Sequence, residues 1–193
     1  MTRIMLLIVL VALVPCDSSR AGQRKKRKEA PSFVTIAPTR RVGAAEVYFF
    51  QDRNASRVEI PSVRIDPTGA RTVDLQIAYN TPGAVPTKPT AILFAFYSNA
   101  HEQRFADDQS MYLACTAVDI DIAYPSTSVE RERVGKVFRE QVYVWVALDD
   151  VIAFVKCNEL EVRIGSTRYI FTDIDKSAIR DLLMVAESSP APN

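Results

Sequence analysis

Residues able to do acid–base or binding chemistry are concentrated in one polar loop, 98–109, of this 193-residue sequence. His101 is the only histidine, so any serine or cysteine nucleophile that uses histidine as its base would have to use this one. Arg104, Asp107 and Asp108 lie in the same loop. These residue types suit a binding loop or a small enzyme, whereas a solvated connection between two strands is the simpler interpretation.

A second set of candidate groups is the carboxylate pair Asp119 and Asp121. Their spacing places both on one face of a strand, with Val118, Ile120 and Ile122 on the other face. Paired carboxylates can bind a hard cation or act in acid–base catalysis. A calcium loop needs more oxygen ligands and usually a glycine turn, so solvent-facing alternation explains the pair better. We expect no catalytic residue, metal or cofactor.

Cys115 and Cys157 form the remaining cysteine pair if Cys16 leaves with a leader or is acylated. In an oxidising compartment an even pair is a disulfide candidate. Closing a loop of about forty residues would contribute about 2–4 kcal/mol of stability. Cysteines on a strand and a helix are also common as single buried residues, so both interpretations stay open.

The first residues predict a targeting signal. Ile4 to Val14 is an unbroken apolar run behind Arg3. At about 1.5 Å per residue it is too short for the roughly 30 Å bilayer core, which is typical of a secretory signal peptide. We predict a signal peptide over 1–16, with cleavage as late as residue 21, and an exported protein that is periplasmic, secreted or envelope-anchored. Leu13-Val14-Pro15-Cys16 resembles a bacterial lipoprotein box, except that Pro15 stands where the box has Gly, Ala or Ser. The resemblance implies lipidation of Cys16.

A basic cluster follows the apolar run, and it consists of Arg24, Lys25, Lys26, Arg27 and Lys28. Like-charge repulsion and the lack of apolar surface predict a disordered linker over 17–38. The cluster could contact an anionic membrane surface. Because basic charge prefers the cytoplasmic side, a membrane-tethered accessory protein facing the cytoplasm is an alternative to export. From residue 31 onward acidic residues outnumber basic ones by 21 to 17, which argues against a nucleic-acid partner.

The remaining chain, 39–188, alternates apolar and polar residues with the period of a β-strand. Thr72 to Asn80 is the clearest strand, and Ala91 to Tyr97 is apolar on both faces, which indicates a central strand. Arg57 to Ile65 changes parity at Pro61, which predicts a bulge or an edge position there. Met111 to Tyr124 also changes phase once. About eight or nine strands predict a two-layer β-sandwich. An immunoglobulin-like arrangement is one form of it, although the cysteine and tryptophan spacing of true immunoglobulin domains is absent.

Two hairpins and two helices complete the prediction. Turns at Gly135-Lys136 and Gly165-Ser166 would pair Val134 with Val137 and Ile164 with Thr167. A short helix capped by Asp149 or Asp150 runs to Cys157, and an amphipathic helix capped by Asp175 ends the domain before a disordered tail, 189–193.

The C-terminal third, Asp149 to Leu183, combines a helix, a hairpin through Val162 to Gly165 and the closing helix. It resembles segments of uncharacterised exported bacterial proteins, and this resemblance implies no functional residues. The sequence therefore predicts a non-enzymatic binding or structural module whose partner is a protein or polymer in the cell envelope. The alternatives are a small enzyme using His101, Asp107 and Asp108, and the membrane-tethered accessory protein.

Overall fold

The computed structural model describes residues 38–66, 72–105, 110–115 and 120–190, which belong to one compact unit, Ile36–Asn193. Several predictions lie outside the described residues. They are the signal peptide, the lipidation of Cys16, the disordered linker as far as residue 37 with its basic cluster Arg24 to Lys28, and the placement of Asp107, Asp108 and Asp119.

The described residues form a mainly β fold with two antiparallel sheets, which confirms the predicted fold class. In chain order the elements are β1 (Arg40–Val42), β2 (Ala45–Phe50), β3 (Ala55–Glu59), β4 (Val63–Asp66), β5 (Thr72–Pro82), β6 (Ala91–Ala100), β7 (Met111–Cys115), β8 (Ile120–Tyr124), β9 (Ser128–Val134), β10 (Val137–Ala147), α1 (Leu148–Phe154), β11 (Leu160–Ile164), β12 (Thr167–Ile170) and α2 (Asp173–Ser188).

The described part contains twelve strands rather than the eight or nine predicted. β1 was not predicted, because three residues are too few to show alternation. The run from Arg57 to Ile65 is split into β3 and β4 at Pro61, which lacks the N–H that a ladder needs. The run from Met111 to Tyr124 is split into β7 and β8, which pair with each other. Each predicted change of phase therefore marks a break between two strands.

The larger sheet has the order β1-β2-β3-β5-β6-β10-β9, with β4 pairing to β5 beyond the end of β3. β6 lies between β5 and β10, as its apolar composition predicted. On β5, Val73, Leu75, Ile77 and Tyr79 are all buried. These residues point towards the core, and Asp74 and Gln76 alternate with them on the outer face.

The smaller sheet has the order β12-β11-β7-β8. Both predicted hairpin registers are confirmed. Val134 pairs with Val137, and Ile164 pairs with Thr167. The first turn residue has a positive φ in each case, +65° at Gly135 and +52° at Gly165, a conformation that glycine adopts without a steric penalty.

The inner face of the larger sheet is covered by the smaller sheet and by α2. β12 contacts β4 and β8 contacts β10, while α2 contacts β1, β2 and β3. The second layer therefore consists of the smaller sheet together with α2. Ile179, Leu182, Leu183 and Ala186 of α2 are buried, as its apolar stripe predicted.

Both predicted helix caps are wrong in detail. α2 begins after Thr172, whose side chain accepts a hydrogen bond from the N–H of Asp175, while the Asp175 carboxylate accepts one from the N–H of Thr172. This capping box makes Asp175 the third helical residue instead of the cap. α1 begins after Ala147 without a side-chain cap, and Asp149 lies within its first turn.

Two residues of the predicted tail make hydrogen bonds. The Ser189 hydroxyl donates to the carbonyl oxygen of Val185 at 2.6 Å, and the N–H of Lys88 donates to the carbonyl oxygen of Pro190 at 2.9 Å.

Candidate functional site

The described residues of the predicted loop, His101 and Arg104, do not converge. His101 is exposed, and its Nδ1 lies 3.1 Å from the carbonyl oxygen of Lys136 in the β9–β10 turn. Arg104 is partly buried and forms an ion pair with Asp66 at the end of β4. Asp107 and Asp108 lie outside the described residues. The side chains of His101 and Arg104 therefore contact the β9–β10 turn and the end of β4, respectively.

A buried carboxylate anchors this loop. Glu140 of β10 is 1% exposed, and it accepts a hydrogen bond from the backbone N–H of Arg104. Its other oxygen lies 3.1 Å from Nε of Arg131 on β9. Arg131 also donates to the carbonyl oxygen of Phe105 at 2.7 Å. Two strands and the loop thus share one charge network, in which each partner compensates the desolvation of another.

Cys115 and Cys157 are joined in a disulfide, with their Cα atoms 5.9 Å apart. The bridge connects the end of β7 to the segment after α1. It differs from the disulfide of immunoglobulin domains, which joins strands of the two facing sheets. Neither sulfur is available as a nucleophile while the bridge is intact.

Asp121 lies on the outer face of the smaller sheet, where it pairs with Arg163. Arg163 also lies 3.3 Å from one carboxylate oxygen of Glu161, and Arg168 lies 2.6 Å from the other. The two carboxylates and the two guanidinium groups of this cluster balance each other's charge. Over the described residues there is no group of three His, Cys, Asp or Glu side chains that could hold a metal ion.

An apolar groove runs between β8 and α1. Ile120 and Ile122 are on the inner face of their strand, as their parity predicted, yet they are 46% and 38% exposed. They line a cleft of about 300 Å³ together with Phe154 and the disulfide. Asp150 and Lys156 also line it, and Asp150 accepts a hydrogen bond from the Tyr124 hydroxyl at 2.9 Å.

A second surface, the aromatic face, is the outer side of β6 and β10 where Tyr97, Tyr143 and Trp145 project. Trp145 is the only tryptophan and is 43% exposed. Its partner across the strands is Leu93, and that of Tyr143 is Ala95. Ala95 lies between the aromatic side chains, and it is small and only 1% exposed. The aromatic side chains therefore project above the surface at Ala95.

Polar side chains border the aromatic face. The Tyr97 hydroxyl donates to Oε1 of Gln76 at 3.2 Å, and the Gln76 amide donates to Oε2 of Glu59 at 2.9 Å. Arg57 donates to the same carboxylate. Amide, carboxylate and guanidinium groups each have more than one donor or acceptor site. Gln76, Glu59 and Arg57 can therefore form further hydrogen bonds to a ligand.

Burial raises the pKa of both face tyrosines above the ordinary value of a phenol. For Tyr97 the nearby Arg57 partly opposes the rise, and for Tyr143 the neighbouring Tyr97 and Glu130 add to it. Both phenols therefore stay protonated at neutral pH and act as hydrogen-bond donors.

The aromatic face was missed in the sequence, although its signal is present there. In β10, Tyr143 and Trp145 alternate with Val142, Val144 and Val146, all three of which are buried. An exposed tryptophan on the polar parity of a strand is unusual enough to indicate a contact surface. The signal was masked because aromatic residues are also common in cores.

Within the described residues, no helix is long and apolar enough to span a membrane. Comparison with protein-family models finds no match for this chain, and neither the curated proteins nor the solved structures include one that matches it.

Proposed function

We propose that this protein is an exported, non-enzymatic binding module that takes a carbohydrate polymer on its aromatic face. The observation that carries the proposal is the position of Trp145, 43% exposed on a sheet face with Tyr143 beside it. Large aromatic side chains that stay exposed on a sheet contribute little to folding stability, and they are typical of ligand-binding surfaces.

The polar border of the face favours a polymer of sugars over a protein surface. A sugar ring presents an apolar C–H face, which stacks on aromatic rings, and a rim of hydroxyl groups, which bond to planar amide and carboxylate groups. Gln76 and Glu59 supply an amide and a carboxylate group of this kind, and hydrogen bonds link them to the hydroxyl of Tyr97.

Trp145 makes the proposal directly testable, because intrinsic tryptophan fluorescence reports only on this face. We expect at least one of xylan, soluble starch, hydroxyethylcellulose or peptidoglycan-derived oligosaccharides to shift the emission of Trp145 to shorter wavelengths. Tyr143→Ala should weaken that binding about tenfold, the loss of about 1.4 kcal/mol that is usual for an aromatic contact residue.

Calorimetry with Trp145→Ala should show the same loss, and Ile174→Ala is the matched control. Ile174 is 82% exposed on α2, far along the chain from β10, and its removal should leave binding unchanged. Unchanged emission with every saccharide would contradict the proposal. Emission that shifts only as the protein itself is concentrated would also contradict it, since a second copy would then be the occupant.

Export is supported by the short apolar leader and by the Cys115–Cys157 disulfide, because disulfides persist mainly in oxidising compartments. We expect the mass of the mature protein to correspond to a chain that begins after residue 16 or 21, or at an acylated Cys16, and that lacks two hydrogens at the bridge. An intact chain in the cytosol would contradict export. Proteolysis of the domain only after cell lysis would favour the cytoplasm-facing alternative.

A further inference from the structure

An open hollow of about 660 Å³ lies on the outer face of the larger sheet, beside the aromatic face. Tyr97 of the aromatic face and Gln76 of its polar border both line the hollow, and the Tyr97 hydroxyl donates to Gln76 at 3.2 Å. The volume lies within the usual range of small-molecule sites, about 300–1,000 Å³. The hollow and the aromatic face therefore form one continuous surface.

An ion pair lines the side of the hollow away from the aromatic rings. Arg64 on β4 lies opposite Asp74 on β5, and Asp74 lies opposite Tyr97 on β6. Nε of Arg64 donates to one carboxylate oxygen of Asp74 at 2.9 Å, and Nη2 lies 3.5 Å from the other. The Arg64 side chain is 57% exposed, so the N–H groups that do not bond to Asp74 remain accessible to a ligand.

The charges around this surface favour an uncharged ligand. Arg64 is paired with Asp74, and Arg57 on the polar border is paired with Glu59. A charged ligand would have to displace one member of such a pair, whereas a sugar hydroxyl donates to a carboxylate and accepts from a guanidinium group. Glu130 of β9 adds a negative charge near both tyrosines of the aromatic face, which would repel an acidic polymer.

The register of the strands gives the length of this surface. Gln141, four residues before Trp145 on β10, lies in one row across the sheet with Tyr97, Asp74 and Arg64. Trp145 and Arg64 are therefore about 14 Å apart along the strands and about 14 Å apart across three strand spacings, which gives a diagonal of about 20 Å. A sugar ring in an extended polymer advances by about one strand spacing, about 4.8 Å, so the surface accommodates about four rings.

We propose that the polymer bound at the aromatic face continues into this hollow, and that the protein recognises an uncharged polysaccharide through a stretch of about four rings between Trp145 and Arg64. This inference rests on the proposed binding of a carbohydrate polymer. One end of the stretch stacks on Trp145 and Tyr143, and the other end bonds to the Arg64–Asp74 pair. Tyr97 lies between the two ends, in contact with both parts of the surface.

Oligosaccharides of graded length provide the test. The probes are oligomers of xylose, of α-linked glucose, of β-linked glucose and of N-acetylglucosamine, from two to six rings long. For the series that shifts the emission of Trp145, we expect the affinity measured by calorimetry to rise up to about four rings and to level off beyond that length. Oligomers of galacturonic acid, which carry a carboxylate on each ring, should bind at least about tenfold more weakly than the neutral oligomer of equal length.

Variants locate the far end of the surface. Arg64→Ala should weaken the binding of the four-ring oligomer about tenfold more than that of the two-ring oligomer, because the shorter ligand reaches only the aromatic end. Arg41→Ala is the matched control. Arg41 forms a similar exposed ion pair with Glu46 at 2.6 Å on the same sheet, outside the hollow, and its removal should change neither affinity.

The outcomes separate this inference from the proposed function. Equal affinity for two-ring and six-ring oligomers, or equal effects of Arg64→Ala and Arg41→Ala, would overturn the inference and leave sugar binding at the aromatic face in place. Tighter binding of the galacturonic acid oligomers would overturn the preference for an uncharged polymer. Unchanged emission of Trp145 with every oligomer would overturn the proposed function and this inference together.

Discussion

Replacing Glu140 by alanine is expected to lower the free energy of unfolding by about 3–5 kcal/mol, the usual cost of removing one partner from a buried charge network. The side chain is fully buried and contacts Nε of Arg131 at 3.1 Å and the backbone N–H of Arg104. Without the carboxylate, the backbone donor of Arg104 and part of the Arg131 charge lose their partner. Urea denaturation followed by circular dichroism measures the change.

Glu132→Ala is the matched control, because Glu132 is an exposed carboxylate on β9 that pairs across the strands with Arg139. Its loss should change stability by less than about 1 kcal/mol, as for most exposed side chains. Glu140→Ala should in addition speed hydrogen exchange at 101–105, since its carboxylate holds that segment. Similar denaturation midpoints for the two variants would show that the network contributes little.

The second large effect is expected from the disulfide. The double variant Cys115→Ser, Cys157→Ser should unfold with a free energy about 2–4 kcal/mol lower than that of the oxidised protein, because the bridge closes a long loop and so restricts the unfolded chain. Reductant should destabilise the unmodified protein by a comparable amount and leave the double variant unchanged. Equal stability of the unmodified protein with and without reductant would show that the thiols are not bridged in solution.

Local patterns predicted the strands well because strand faces are set by neighbours two residues apart. The parity of Val73 to Tyr79 and both hairpin registers follow from alternation and from a glycine that permits a tight turn. Strand number was underestimated for the same reason. A change of phase can mark either a bulge in one strand or a break between two, and only the pairing partners distinguish these.

The binding loop was harder to predict because polarity in a loop does not reveal its partners. The Arg104 guanidinium donates to Asp66, and the Arg104 backbone N–H donates to Glu140. These partners lie 38 and 36 positions away along the chain. The exposure of Trp145 likewise depends on what covers the outer face of β10. Burial of Ile122 was expected from its parity, which places it on the inner face, but the groove beneath leaves it 38% exposed.

The sequence by itself determined the β-rich fold class, the faces of the main strands, the two hairpin turns and the apolar stripe of the last helix, because these depend on residues a few positions apart. Tertiary structure decided which polar residues neutralise one another, which cysteines meet, and which apolar side chains stay exposed at the β8 groove and the aromatic face. Those outcomes depend on contacts between distant segments, and the free energy of such contacts is not encoded in any local period.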